Sequence, residues 1–93
     1  MRKYEVLLSR TALRQWRVLD AQARVRISRA LSELANDPRR SRPGADIRKL
    51  RGSGRPPLYR LRVGDYRIVY AMVGNAVKVT GLFHRRKGYD FLE

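Results

Sequence analysis

The sequence predicts an α+β domain: an N-terminal strand, a helical hairpin, a twisted antiparallel sheet on which the hairpin packs, and a short C-terminal helix or tail. Three observations carry this reading. Tyr4, Val6 and Leu8 alternate with Lys3, Glu5 and Leu7, the two-residue period of a half-buried strand. From Ala12 to Leu34 apolar residues recur at helical spacing. From Ile47 onward the period returns to two, broken by glycine-bearing turns.

Each element has its own local warrant. Ser9 is suited to cap a helix, because its hydroxyl can accept from an unpaired first-turn amide, and Ala12, Leu13, Trp16 and Leu19 follow. Asp20 offers a second cap, ahead of Ala23, Ile27, Ala30, Leu31 and Leu34. Trp16 is expected in the core, with Arg14, Arg17, Arg24 and Arg29 on the solvated side. The second helix should stop near Asn36-Asp37, before Pro38. Residues 39–46, with Pro43-Gly44, read as a loop. Next, Tyr59, Leu61 and Val63 share one face of a strand, with Arg60 and Arg62 on the other. Gly64-Asp65 turns the chain. Tyr66, Ile68, Tyr70 and Met72 then face one way, and Arg67, Val69 and Ala71 the other. Gly74-Asn75 suits a tight hairpin. In the last strand Val77, Val79 and Phe83 are set against Lys78, Thr80, Leu82 and His84. With the hairpin covering the apolar face, the opposite face is expected to show Arg60, Arg62, Arg67, Lys78 and His84 together. That inference rests on register, since a slip of one residue exchanges the faces.

Composition narrows the partners. The 93 residues suit one domain, 1–93, with one core. The net charge is +14, from 22 Lys and Arg against 8 Asp and Glu, which favours nucleic acid, an anionic membrane or an acidic protein as partner. Ten basic and two acidic residues fall between positions 39 and 67, a concentration that suits a binding face. Without cysteine there is no disulfide and no thiolate metal site, and a single histidine excludes a multi-histidine one. No apolar run approaches the ~20 residues of a membrane span, and the N-terminus lacks a signal-peptide apolar core. A soluble, cytoplasmic protein without cofactor or membrane is expected.

The residues that carry chemistry are Lys49-Leu50-Arg51-Gly52, Tyr66-Arg67-Ile68-Val69-Tyr70, and His84-Arg85-Arg86 with Lys87 and Tyr89. In this order and spacing they resemble the RelE/ParE superfamily of toxins, over nearly the whole chain. The resemblance implies a RelE-like microbial ribonuclease fold and a ribosome-dependent endoribonuclease that cuts mRNA in the A site, held inactive by a cognate antitoxin. It implies Arg60, Arg62 and Arg67 as basic site residues and Arg85 as a phosphate-binding arginine. Tyr89 would be the C-terminal tyrosine that stacks on substrate or shares in proton transfer. Some members carry lysines where this chain has Arg60 and Arg62. An arginine stays charged, so these two are expected to bind phosphate or stabilise charge and not to act as a base.

Metal-free RNA cleavage needs the 2′-OH to attack the adjacent phosphate, a route for its proton, and help for the leaving 5′ oxygen. Guanidinium forks suit the negative charge of the phosphorane, and Arg67 and Arg85 are the first candidates. His84, with an ordinary pKa near ~6.5, is either an acid or base or an orienter of the strand end. Tyr89, ordinarily near ~10, is a proton-transfer group, a stacking surface or a packing residue. Lys49, Arg51, Arg86 and Lys87 are read as RNA contacts, with edge-strand protection the alternative for the first two. Gly52-Ser53-Gly54 precedes no helix and is no phosphate loop. The expected partners are an acidic antitoxin, the ribosomal A site and mRNA. Inhibition of DNA gyrase on the same scaffold, and a non-catalytic RNA-binding module, are the competing functions.

Overall fold

Two helices cover one face of a five-stranded sheet in the computed structural model, which describes residues 3–50 and 55–86. The elements are β1 (Glu5–Leu8), α1 (Arg10–Arg17), α2 (Ala21–Asn36), β2 (Asp46–Lys49), β3 (Leu58–Val63), β4 (Tyr66–Val73) and β5 (Ala76–His84). The expected C-terminal helix or tail, and Arg51, Gly52, Lys87 and Tyr89, lie outside the described residues.

Both predicted caps form. The Ser9 side chain accepts from Ala12 N at 3.0 Å and the Asp20 carboxylate from Ala23 N at 2.8 Å, satisfying amides that the first helical turn leaves without partners. α2 ends at Asn36, and Arg42 closes it: Nη2 donates to Glu33 O at 3.1 Å and Nη1 to Asp37 O at 3.0 Å. The chain then turns at Pro43-Gly44. Gly44 has φ +86°, where a side chain would be strained, and Arg42 and Ala45 exchange backbone hydrogen bonds across the turn.

The sheet order is β1-β5-β4-β3-β2. All pairs are antiparallel except β1, which runs parallel to β5 with Val6 beside Val77 and Leu8 beside Val79. The sheet is therefore mixed, not wholly antiparallel. A strand's own side-chain pattern carries its period but not its direction relative to a neighbour some seventy residues away. Beneath the helices Ile27 and Leu34 of α2 meet Leu61, Ile68, Tyr70, Val77 and Val79 in one fully buried core.

One irregularity decides what each face displays. Between β4 and β5 the register shifts at Val69/Tyr70: Val69 lies opposite Gly81, Tyr70 opposite Val79, and Thr80 is the extra residue of a β-bulge. Beyond it the alternation of β5 is inverted relative to the start of the strand. Leu82 pairs with Ile68 and joins the core, and Phe83 crosses to the face away from the helices, beside Arg67. Three side chains hold the bulge. Ser9 Oγ donates to Thr80 O at 3.1 Å, Thr80 Oγ1 donates to Val69 O at 3.2 Å, and Gln15 Oε1 accepts from Leu82 N at 2.6 Å.

Arg24 is exposed, on the solvated side as expected. Its guanidinium lies 5.8 Å from the Trp16 ring centroid, and its Nη2 donates to Arg17 O at 2.8 Å at the end of α1. Trp16 is half-buried, with its apolar ring against the core and Arg24 above it.

Candidate nucleic-acid interface

The sheet face opposite the helices carries two rows of side chains, set by strand register. Asp46, Arg62, Arg67 and Phe83 form one row across β2, β3, β4 and β5; Arg48, Arg60, Val69 and Gly81 form the next. Each row thus holds two arginines on neighbouring strands: Arg62 opposite Arg67, and Arg48 opposite Arg60. Like charges directly opposite one another destabilise a sheet, so the arrangement costs free energy that a bound polyanion would offset. Arg48, Arg60, Arg62 and Arg67 line an open groove with Asp46 and Ile47.

Two of these guanidiniums are deeply set. Arg60 is 6% and Arg67 9% exposed. Arg60 Nη1 lies 3.6 Å from Asp46 Oδ1 and donates weakly to Asp46 O at 3.4 Å. Arg67 Nη1 donates to Gly64 O at 2.8 Å and Tyr66 O at 2.9 Å. Arg85 reaches the same turn from the end of β5: its backbone N–H donates to Asp65 O at 2.7 Å, and its Nε lies 3.3 Å from Asp65 Oδ1. The β3–β4 turn at Gly64-Asp65 therefore gathers Arg67 and Arg85, far apart in sequence, into one cationic corner. Turn carbonyls fix Arg67 with charge-assisted hydrogen bonds, whereas Arg85 is half exposed and held by a carboxylate it can exchange for another anion.

His84 is not on this face. The bulge turns it toward the helical side, where it pairs with Tyr66 in the ladder and meets that ring edge-on at 5.2 Å. Its Nδ1 accepts from Arg86 N at 3.2 Å, so the imidazole orders the turn that carries Arg85 and Arg86. Lys49 is opposite Tyr59, also on the helical side and exposed, whereas Lys78 is paired with Ala71 and stays with the face away from the helices. Arg86 is exposed just past β5. Arg51, Lys87 and Tyr89 fall outside the described residues.

Sequence reasoning passed over Arg48, Asp46, Asp65 and Phe83. The first two become visible once β2 is read as a strand, since Arg48 and Asp46 flank the buried Ile47. Asp65 and Phe83 gain their places only from tertiary contacts. Among the described residues no cluster of three His, Asp or Glu side chains is disposed to hold a metal ion, and no helix is long and apolar enough to cross a membrane.

The fold recurs in known proteins. A family model described as the ParE toxin of type II toxin–antitoxin systems, parDE, matches residues 6–89. The chain belongs to this toxin family. It is 29% identical to Toxin RelE3 of Methanocaldococcus jannaschii over 87 residues, which cover 94% of this chain and 97% of that one. In structure the toxin is similar to RelE in the archaeal RelE–RelB complex from Pyrococcus horikoshii: TM-score 0.77, 27% identity, covering 92% of this chain and 99% of that one. The RelB–RelE complex from Methanococcus jannaschii gives TM-score 0.73 at 26% identity, covering 94% and 99%. The expected superfamily and α+β fold are thus both found, on a mixed sheet.

Proposed function

We propose that this toxin is a ribosome-dependent endoribonuclease that cleaves mRNA in the A site. The observation that carries the reading is the corner where Arg67 and Arg85 meet at the Gly64-Asp65 turn, continuous with the groove of Arg48, Arg60 and Arg62. A scissile phosphate in that corner would receive guanidinium N–H groups from two directions. As the 2′ oxygen bonds to phosphorus, negative charge builds on the phosphoryl oxygens and Arg67 and Arg85 stabilise it. The P–O5′ bond then breaks, leaving a 2′,3′-cyclic phosphate and a 5′ hydroxyl. The 2′-OH proton leaves through Tyr89 or solvent, and the departing O5′ takes a proton from the same sources. His84 serves here by ordering the Arg85-Arg86 turn rather than as the acid or base. Arg60 and Arg62, with Arg48, bind flanking phosphates, and Lys49, Arg51, Arg86 and Lys87 contact RNA farther out. No metal is needed for this route.

A cognate antitoxin is part of the proposal. The named structural relatives are toxin–antitoxin complexes, and a net charge of +14 fits an acidic segment that folds on binding. A stable complex with the adjacent-gene product in size-exclusion chromatography is expected; its absence would remove this partner.

Primer extension on mRNA, with and without programmed ribosomes, tests the activity. Cuts at A-site codons only with ribosomes, reduced about 10²–10³-fold in Arg85→Ala, are expected. A second reading, gyrase inhibition without cleavage, is favoured by the ParE description of the matching family. Uncut mRNA with blocked supercoiling would select it.

A further inference from the structure

We propose that Arg26, Arg29 and Arg62 form a second phosphate-binding groove, beside α2, that holds the backbone of single-stranded RNA; the assignment rests on the RNA-binding reading above. Helical spacing puts Arg26, Arg29 and Glu33 on one stripe of α2. Across a groove from this stripe lie Gly44, Asp46 and the end of β3. Small residues keep the groove open: Ala30 and Ala45 line it and are buried, and Gly44 and Gly64 carry no side chain. Gly64 also locates Arg26. A Cβ at Gly64 would run into Arg26 Nη2, so that guanidinium lies directly against the β3–β4 turn, whose Gly64 carbonyl accepts from Arg67.

The charges of this groove are unbalanced. Glu33 Oε1 lies 3.3 Å from Arg42 Nη2 and Asp46 Oδ1 lies 3.6 Å from Arg60 Nη1, so both of its carboxylates are engaged by arginines outside it. Arg26, Arg29 and Arg62 are all exposed, and among the described residues none of them makes an ion pair or a side-chain hydrogen bond. Three guanidiniums around one concavity repel one another, and a phosphate accepting from them replaces that repulsion with charge-assisted hydrogen bonds. Arg62 also lines the groove of Arg48, Arg60 and Arg67, which makes it the wall common to both. A strand leaving the first groove over Arg62 enters the second by rounding the end of β3. Single-stranded RNA can make that turn. Duplex DNA has a persistence length of about 150 bp, and a duplex of either kind is too stiff for so short a path.

The test is binding of a fluorescein-labelled oligouridylate of about twelve nucleotides across about 50–200 mM salt. The pair Arg26→Gln and Arg29→Gln should weaken binding roughly tenfold and lower the log–log slope by about 1.4, since each phosphate contact on a single strand contributes about 0.7. Lysine at both positions should keep the wild-type slope. Arg14→Gln with Arg17→Gln removes the same charge from α1 and should leave affinity within about twofold of wild type. Equal losses in the two glutamine pairs would reduce the groove to general electrostatics and overturn it. Phenylglyoxal modification of the wild-type protein, mapped by mass spectrometry, reads the contact without any variant: the oligouridylate should protect Arg26 and Arg29 and leave Arg14 reactive. Equal reactivity of Arg26 with and without RNA overturns the groove. So does unchanged RNA binding with weakened antitoxin capture in the Arg26 and Arg29 pair, which would give this surface to the antitoxin. Protection of Arg26 without ribosome-dependent cleavage would sink the nuclease and leave the groove. Cleavage without that protection would do the reverse.

Discussion

Tyr70 donates its hydroxyl proton to the Pro38 carbonyl at 2.7 Å, joining the centre of the sheet to the loop that follows α2. Both residues are fully buried, and the Tyr70 ring stacks on Tyr59 at 5.6 Å. Burial raises the Tyr70 pKa, so the phenol stays protonated and keeps its donor role. Tyr70→Phe keeps the ring and leaves the Pro38 carbonyl with a lost partner. A loss of about 1–2 kcal/mol is expected, seen as a lower denaturant midpoint with unchanged m-value. An unchanged midpoint would show that this carbonyl finds another donor.

Gln15 acts at a greater sequence distance. Its Oε1 accepts from Leu82 N beyond the bulge, so Gln15→Leu strands that amide against an apolar side chain. The expected cost is about 1–3 kcal/mol. In amide hydrogen exchange Leu82 should lose protection while Ile68 and Tyr70 in the middle of β4 keep theirs; uniform loss would mean that Gln15 does not act locally on the bulge.

The Gly81–Phe83 contact predicts a coupling. Gly81→Ala forces the ring aside and should cost about 1–3 kcal/mol. Gly81→Ala with Phe83→Leu should recover most of that loss, because the smaller side chain leaves room for the new methyl. Thermal denaturation of the double-mutant cycle measures the coupling, and strictly additive losses would place the ring away from Gly81.

Asp37 should confer an acid-sensitive share of stability. Its carboxylate accepts from Arg39 N at 3.1 Å, Arg40 N at 3.2 Å and Arg40 Nε at 3.2 Å, and the two backbone bonds come first among the causes that hold its pKa below the ordinary value. A depressed folded pKa means that the unfolded chain takes up the proton first. The contribution is therefore complete above the unfolded pKa of about 3.9 and is lost as pH falls through the folded value. Urea midpoints of wild type and Asp37→Asn should converge toward acid pH; a constant difference would rule this linkage out.

Much of the molecule is legible in local chemistry. Ser9 and Asp20 announce the helix starts because a cap is a contact within three residues, and Pro38 limits α2 for an equally local reason. Arg60, Arg62 and Arg67 could be set on one face from alternation within their own strands. The reading failed where the determining partner was remote. His84 was assigned to the arginine face by carrying the alternation of β5 through Thr80 without a break.

By itself, then, the sequence determined the strand and helix content, the apolar face, the charge that draws a polyanion, and the family to which the motifs belong. Tertiary structure decided the parallel pairing of β1 and the meeting of Arg67 with Arg85 at the Gly64-Asp65 turn. It also decided the exchange of Phe83 for His84 on the face away from the helices. The physical reason is one of range. Period, capping and charge act over a few residues, whereas a bulge is stable only when side chains such as Ser9 and Gln15, about seventy residues away, satisfy the backbone groups beside it.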